Sequence, residues 1–290
     1  MLCNITIKGK GSIPINVWEK LDAISLLKVQ TGEALPNLSA YYKGLKIRQN
    51  DTGFIINNSL HKYSKTHNTG LFTLANCTQA IDDLSIFLDV DLWQCNMPKF
   101  EFGINIPVMQ KPSIYLQQIQ CYKSKSFNPF DTADRQQTLF FQTQDYKIKL
   151  YNKTLESKLN YNLLRLEIQR INPSHFLPQL KTVNDIVSSN GFNILANELL
   201  KKFNQIQFLQ QSPIPDKCND YFLTSYFHQN GVAIARKSIC EKYGKKKGKY
   251  FAAKYTAIAK SIPNTNIFQQ EMQRQINNQL FHILGSIPNL

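Results

Sequence analysis

The sequence predicts an α+β fold: a central, largely antiparallel sheet with flanking helices, followed by an all-helical C-terminal region. Three observations carry this. Period-two alternation recurs at residues 2–8, 46–63, 99–108, 138–144, 147–153 and 163–169, with helix-period stretches between some of these runs. Asn50-Asp51-Thr52-Gly53 separates two of them and reads as a hairpin turn. After Asn172-Pro173 the alternation stops and a 3.6-residue period takes over. The expected division is an α+β domain over 1–172 and a helical region over 173–290, the latter either a separate unit or packed on the first.

Size and composition narrow the class. A chain of 290 residues with 42% hydrophobic content can bury a substantial core, which argues against wholesale disorder. The formal net charge of +14 favours a polyanionic partner, either nucleic acid or an anionic membrane surface. No apolar run approaches the about 18 residues a spanning helix needs. The opening MLCNITIKGKG lacks the apolar stretch of a secretory leader and reads as a first strand. Six cysteines are scattered without a CxxC pair, as expected for reduced thiols in a cytoplasmic protein.

Taken in order, residues 2–8 form a strand, and Asn16 can cap a helix with Val17, Leu21, Ile24 and Leu27 along one face. The 46–63 hairpin follows, its second strand running through His61. Residues 73–88 make an amphipathic helix with Ala80, Ile81, Leu84, Phe87 and Leu88 as its apolar stripe. Strands are expected at 99–108, 114–122 and 138–144. In the first of these Phe100, Phe102, Ile104 and Ile106 face the core, opposite Glu101, Gly103 and Asn105. Helices are expected at 177–189, closed by Gly191, and at 193–211, 231–243, 249–261 and 267–284.

The chemistry concentrates in QDYKIKLYNKTLESKLNYNLLRLEIQR, residues 144–170. Alternation places Lys147, Lys149, Tyr151 and Lys153 on one face and Ile148 and Leu150 on the other. In the next strand Arg165, Glu167 and Gln169 lie opposite Leu164, Leu166 and Ile168. If these strands share a sheet with the one carrying Glu101, a tyrosine, several cations and two carboxylates gather on one surface. Glu101 and Glu167, with His61 as a third candidate ligand, suit Mg²⁺ or Mn²⁺. Such a metal would polarise a phosphate while Tyr151 attacks phosphorus and Lys153 stabilises the phenolate. Tyr146 is the rival nucleophile, but it lies five residues away and faces the opposite side of the strand. The bland alternative is a solvated face of ordinary polar residues.

The order of these motifs resembles the replication-initiation proteins of filamentous phages and their plasmid relatives. These are the gene-two-protein and replication-initiation-factor families, treated as distant members of the HUH-type nicking enzymes. Ser59-Leu60-His61-Lys62 followed by His67-Asn68 is similar to a family element preceding a helix. Lys99-Phe100-Glu101-Phe102 stands where the family has an acidic strand. Tyr151, Lys153 and Glu156 fit a Tyr-x-Lys-x-x-Glu element whose tyrosine is the nicking nucleophile, and Leu164-Arg165-Leu166-Glu167 fits the following Arg-apolar-Glu strand. The likeness covers roughly residues 40–170 and a helical tail of similar type. The paired His-x-His of the HUH signature is missing, since His61 and His67 are not arranged in that way.

The resemblance implies a rolling-circle replication initiator whose 1–172 domain nicks and rejoins origin DNA, single-stranded or in a hairpin, through a 5′-phosphotyrosine intermediate. Lys62, His67, Asn68, Lys147, Lys149 and Arg165 would contact DNA, Arg165 equally well serving to neutralise Glu167. The helical region over 173–290 would bind DNA or pack on the first domain, and within it Lys245, Lys246 and Lys247 would add salt-sensitive phosphate contacts, together with Arg236 and Lys237. No Gly-rich phosphate loop ending in Lys is present, so a host helicase would act alongside the host polymerase. One nucleophilic tyrosine is compatible with a homodimer in strand closure. The expected location is the cytoplasm of a bacterial host. A non-catalytic basic DNA-binding regulator of the same fold, or a small relaxase, is the alternative. His175, His228 and His282 have no companion ligands in sequence and read as structural, and Phe140-Phe141 reads as core.

Overall fold

The computed structural model describes residues 1–21, 24–26, 37–123, 125–129, 137–209, 221–259 and 266–285. Strand β1 (Leu2–Gly9) is followed by a short helix α1 (Ile15–Lys20) and strands β2 (Ile24–Leu26), β3 (Asn37–Tyr42), β4 (Leu45–Asn50) and β5 (Gly53–Ser59). Helices α2 (Leu60–Lys65) and α3 (Leu74–Leu88) lead into β6 (Asn96–Pro107). Next come α4 (Pro112–Gln117), β7 (Ile119–Tyr122), β8 (Lys125–Ser126), β9 (Asn128–Pro129), β10 (Thr138–Gln142) and β11 (Tyr146–Asn152). The remainder is α5 (Lys153–Glu156), β12 (Leu163–Arg170), α6 (Val183–Ile186), α7 (Ser189–Phe203), β13 (Ile206–Phe208), α8 (Tyr221–Tyr243), α9 (Lys245–Ala259) and α10 (Ile267–Leu284).

The chain is α+β, built among the described residues on a ten-stranded sheet of order β2-β3-β4-β5-β1-β6-β12-β11-β10-β9. Every pairing in it is antiparallel. One face is apolar: Ile5 and Ile7, Phe100, Phe102 and Ile104, Ile148 and Leu150, Leu166 and Ile168 are all buried. They join Phe192, Leu195 and Leu199 of α7 and Met272, Ile276 and Leu280 of α10 in one continuous core. Each such side chain contributes about 1.5–3 kcal/mol relative to exposure, so α7 and α10 are held to the sheet by their own stripes. Helices α8 and α9 form a satellite cluster around Phe227, Val232, Ile239 and Tyr255, resting on Cys121 of β7. Among the described residues no helix is long and apolar enough to cross a membrane.

Several elements differ from the sequence expectation for identifiable reasons. The first helix follows Pro14, with no side-chain cap from Asn16, and ends by Leu21. Ile24 belongs to β2, and Leu27 lies outside the described residues. The second hairpin strand stops at Ser59, whose hydroxyl caps α2 by accepting from Lys62 N at 3.2 Å, so His61 sits on a helix. Helical spacing buries Leu60 and Tyr63 together, and this outweighs continued alternation. Residues 112–117 are helical, started by Pro112 at the first turn, and the strand begins only at Ile119.

Gly191 opens α7 instead of closing a helix. Its N–H is capped by Ser188 Oγ at 3.0 Å, and a Cβ there would meet Asp185 O at 2.2 Å. Residues 206–208 pair with β7, so one short strand interrupts the C-terminal helices. The lysines 245–247 form the first turn of α9 and are exposed.

Candidate active site

Four adjacent strands, β1, β6, β12 and β11, build the polar face. Their register aligns side chains in rows. Asn105, Arg165 and Tyr151 form one row, with Thr138 of β10 at its end. Gly103, Glu167 and Lys149 form the second, and Glu101, Gln169 and Lys147 the third. Directly opposed strand residues lie within about 5.5 Å at Cβ, so each row is a contact set. Gly103 leaves room in the middle row, since a Cβ there would meet Leu166 O at 2.4 Å and Glu167 Cγ at 2.9 Å.

A bulge completes the face. From Leu2 to Ile5 strand β1 advances three residues while β6 advances two, from Phe102 to Phe100. Cys3 and Asn4 thus oppose the single Glu101, as a β-bulge allows. Asn4 Nδ2 donates to Glu101 Oε2 at 2.5 Å, and Arg165 donates to Cys3 Sγ.

The result is an open groove of about 730 Å³. Of the expected residues, it is lined by Glu101, Glu167, Tyr151, Lys147, Lys149, Lys62, Asn68 and Glu156, and Asn4 and Ser59 join them. Lys149 Nζ bridges the carboxylates, 2.9 Å from Glu101 Oε1 and 3.8 Å from Glu167 Oε2. Glu167 Oε1 accepts from Arg165 Nε at 2.6 Å. The Tyr151 hydroxyl makes no hydrogen bond within the described residues, and burial, with Glu167 nearby, pushes its pKa well above the usual phenol value.

Arg165 is buried beneath this surface. Its Nη1 donates to Asn105 Oδ1 at 2.6 Å and to Asn68 O at 3.2 Å. Asn105 Nδ2 donates to Asn68 O and Thr69 O. Lys153 is also fully buried, donating to Asn68 Oδ1 at 2.8 Å and paired with Glu156, its ammonium 5.9 Å from the Tyr151 ring centroid. Burial pulls the Lys153 ammonium below its usual range, partly offset by Glu156. Arg165, Asn105 and Lys153 together pin the loop carrying Asn68 over the end of the groove. Asn105 and Asn4 were legible only as polar residues on the right parity, and nothing in the sequence marks the bulge.

Other expected residues lie elsewhere. His61 is 2% exposed, stacks on Phe72 at 4.4 Å, and its Nε2 has no hydrogen-bond partner among the described residues. It lines a separate small cavity with Met1, Gly103, Asn105 and Arg165. Burial, then the Met1 amino group and Arg165, hold its imidazole down at about 3. His67 is exposed, bonded to Thr69 Oγ1, and outside the groove lining. Lys245, Lys246 and Lys247 also lie outside that lining. Tyr146 faces away: it is buried, with its hydroxyl 3.2 Å from that of Tyr122 and Lys202 3.9 Å from its ring centroid.

The donor set suits a hard divalent cation in chemistry, with two carboxylates and the Asn4 amide on one surface. The Lys149 ammonium already stands between those carboxylates as a resident cation. No cluster of three or more His, Cys, Asp or Glu side chains placed to hold a metal exists among the described residues. An ion bound at Glu101 and Glu167 would therefore keep most of its waters or take phosphate oxygens, as Mg²⁺ commonly does.

No family model matches the chain, and no curated protein matches it. Among solved structures it is similar to the rolling circle replication initiator protein from Geobacillus stearothermophilus, at 15% identity and a TM-score of 0.41. That alignment covers 75% of this chain and 88% of the other.

Proposed function

We propose that the protein is a rolling-circle replication initiator that nicks and rejoins single-stranded origin DNA, with Tyr151 as nucleophile. The observation that carries this reading is the cross-strand register, which sets Tyr151 beside Arg165 and two carboxylates beside Lys149 in one open groove. The motif order along the chain supports it independently. In the proposed step the Tyr151 oxygen forms a bond to phosphorus and the bond from phosphorus to the 3′ oxygen breaks. Tyr151 loses its proton, the 3′ oxygen gains one, and the products are a 5′-phosphotyrosine and a 3′-hydroxyl that primes synthesis by a host polymerase. Reversal of the same exchange rejoins ends without ATP.

Each part of the site has a task in this reading. The raised Tyr151 pKa keeps the phenol protonated at rest, so proton loss must be coupled to the arrival of positive charge or to formation of the bond to phosphorus. Lys147, Lys149 and Lys62 draw the DNA backbone into the groove. Arg165 and Lys153 act from below, positioning Glu167, Tyr151 and Asn68. Glu101 and Glu167 would hold Mg²⁺ or Mn²⁺, which when bound supplies charge neutralisation at the scissile phosphate.

The second reading is a non-catalytic DNA-binding regulator. It is favoured by the Lys149 bridge, which balances the carboxylates without a metal.

The deciding experiment incubates the protein and Mn²⁺ with end-labelled single strands of the origin. A denaturant-resistant adduct that is lost in Tyr151→Phe and kept in Tyr146→Phe supports nicking by Tyr151. Because the Tyr151 hydroxyl bonds to nothing within the described residues, Tyr151→Phe should change stability by no more than about 0.5 kcal/mol. Nicking unaffected by Tyr151→Phe would overturn the proposal.

A further inference from the structure

Helix α10 carries an outward face of unusual chemistry. Gln270, Arg274 and Asn278 are exposed at successive turns, flanked by Gln269, Gln273 and Asn277. These six side chains line a groove of about 540 Å³ that is closed on one side by Asn204 after α7. A merely solvated face would ordinarily carry Lys and Glu. Here it carries amides and one guanidinium. The helix's sole carboxylate, Glu271, is turned away, accepting from Met109 N at 2.8 Å and from the Tyr115 hydroxyl at 2.5 Å.

The face is also rigid. Asn266 caps the helix by accepting from Gln269 N at 2.9 Å and donates to Leu209 O at 2.6 Å. Met272, Ile276, Leu280 and Ile283 are buried in the main core. Gln273 Nε2 donates to Asn277 Oδ1 at 3.1 Å, which leaves the Gln273 oxygen and the Asn277 amide hydrogens as the pair's remaining acceptor and donors in this groove.

We infer that α10 reads base edges in the major groove of duplex DNA, the stem of a hairpin or a binding site beside the nick. An amide offers a donor and an acceptor together, which matches the paired N6 and N7 of adenine, and a guanidinium matches O6 and N7 of guanine. An α-helix fits the major groove, and with no carboxylate on this face the flanking phosphates meet no repulsion. Non-specific affinity comes from the lysines elsewhere, while sequence preference comes from this face. The inference rests on DNA being the partner, as proposed above, but uses none of the Tyr151 groove.

The test selects a random-sequence duplex pool on the full chain, in parallel with Arg274→Lys and with the double variant Gln273→Ala/Asn277→Ala. Nicking of single-stranded DNA is followed as a separate readout. The wild type is expected to enrich a defined motif. Arg274→Lys should lose a guanine position by roughly tenfold in preference while keeping total affinity, and the double variant should lose an adjacent adenine position. All three should nick single strands equally. Enrichment of the same motif by all three proteins would overturn the inference. So would a wild type that nicks single strands but enriches no motif, leaving the nicking proposal intact. A wild type that binds neither duplex nor single strand would overturn both.

Discussion

Lys149 Nζ lies 2.9 Å from Glu101 Oε1, a contact that reaches from β11 across the whole width of β12 to β6. The same ammonium is 3.8 Å from Glu167 Oε2, so one lysine holds together the two carboxylates assigned to a metal. The divalent ion proposed for this site would compete with the protein's own cation for the same charges.

Lys149→Met should therefore bind Mn²⁺ more tightly than the wild type. An ammonium within about 4 Å of a divalent ion is repelled by about 8 kcal/mol at an effective dielectric near 20. The partly exposed Lys149 relieves most of this by swinging into solvent at the cost of its two ion pairs, so a gain of roughly tenfold or more is expected. Titration calorimetry measures it directly, with Glu101→Gln as the variant expected to lose affinity. Unchanged or weaker binding in Lys149→Met would remove the competition model.

Arg165 is the buried hub of the site, bonded to Glu167, Asn105, Asn68 and Cys3. Arg165→Met should cost about 3–5 kcal/mol, because it takes the buried donor from Asn105, Asn68 O and Glu167 together and leaves Glu167 only the more distant Lys149 ammonium. Adding Glu167→Met should recover part of that loss. Urea denaturation of both variants decides it, and a double variant less stable than Arg165→Met alone would contradict the pairing.

His61 should make the protein acid-sensitive. Its folded pKa of about 3 lies below the ordinary imidazole value of 6.5. The unfolded chain thus takes up a proton that the folded chain refuses, and stability present near neutrality is lost as pH falls through that window. The slope contributed by one group is about 1.4 kcal/mol per pH unit. His61→Phe, which keeps the stack on Phe72, should flatten the stability profile between about pH 3 and 6.5 in denaturant titrations.

Gly103→Ala should destabilise by about 1–3 kcal/mol, since the new methyl group meets Leu166 O and Glu167 Cγ. Its effect on nicking should exceed its effect on folding, because Glu167 is the side chain displaced. Thermal melting set against single-strand cleavage tests this, and equal losses in both would mean that Glu167 is not disturbed.

Much of the polar face was legible in the chain, because strand parity is a local property. Alternation alone separates Tyr151 from Tyr146, and the structure places them on opposite faces of β11. The same rule put Glu101 opposite Phe100 and Phe102, and Glu167 opposite Leu166 and Ile168. Helix α10 was legible to its ends, its apolar stripe being unbroken.

Tertiary structure decided the rest. Whether the second hairpin strand continued to His61 depended on Ser59 capping α2 and on where Leu60 could be buried. That choice took His61 out of the groove. The register of β6 on β12 and of β12 on β11 set which polar residues became neighbours. A one-residue bulge in β1 brought Cys3 and Asn4 against Arg165 and Glu101. The sequence by itself determines which face a side chain takes, because that follows from one residue's backbone geometry. It does not determine which strands lie side by side or how they slide, because those follow from packing between segments far apart in the chain.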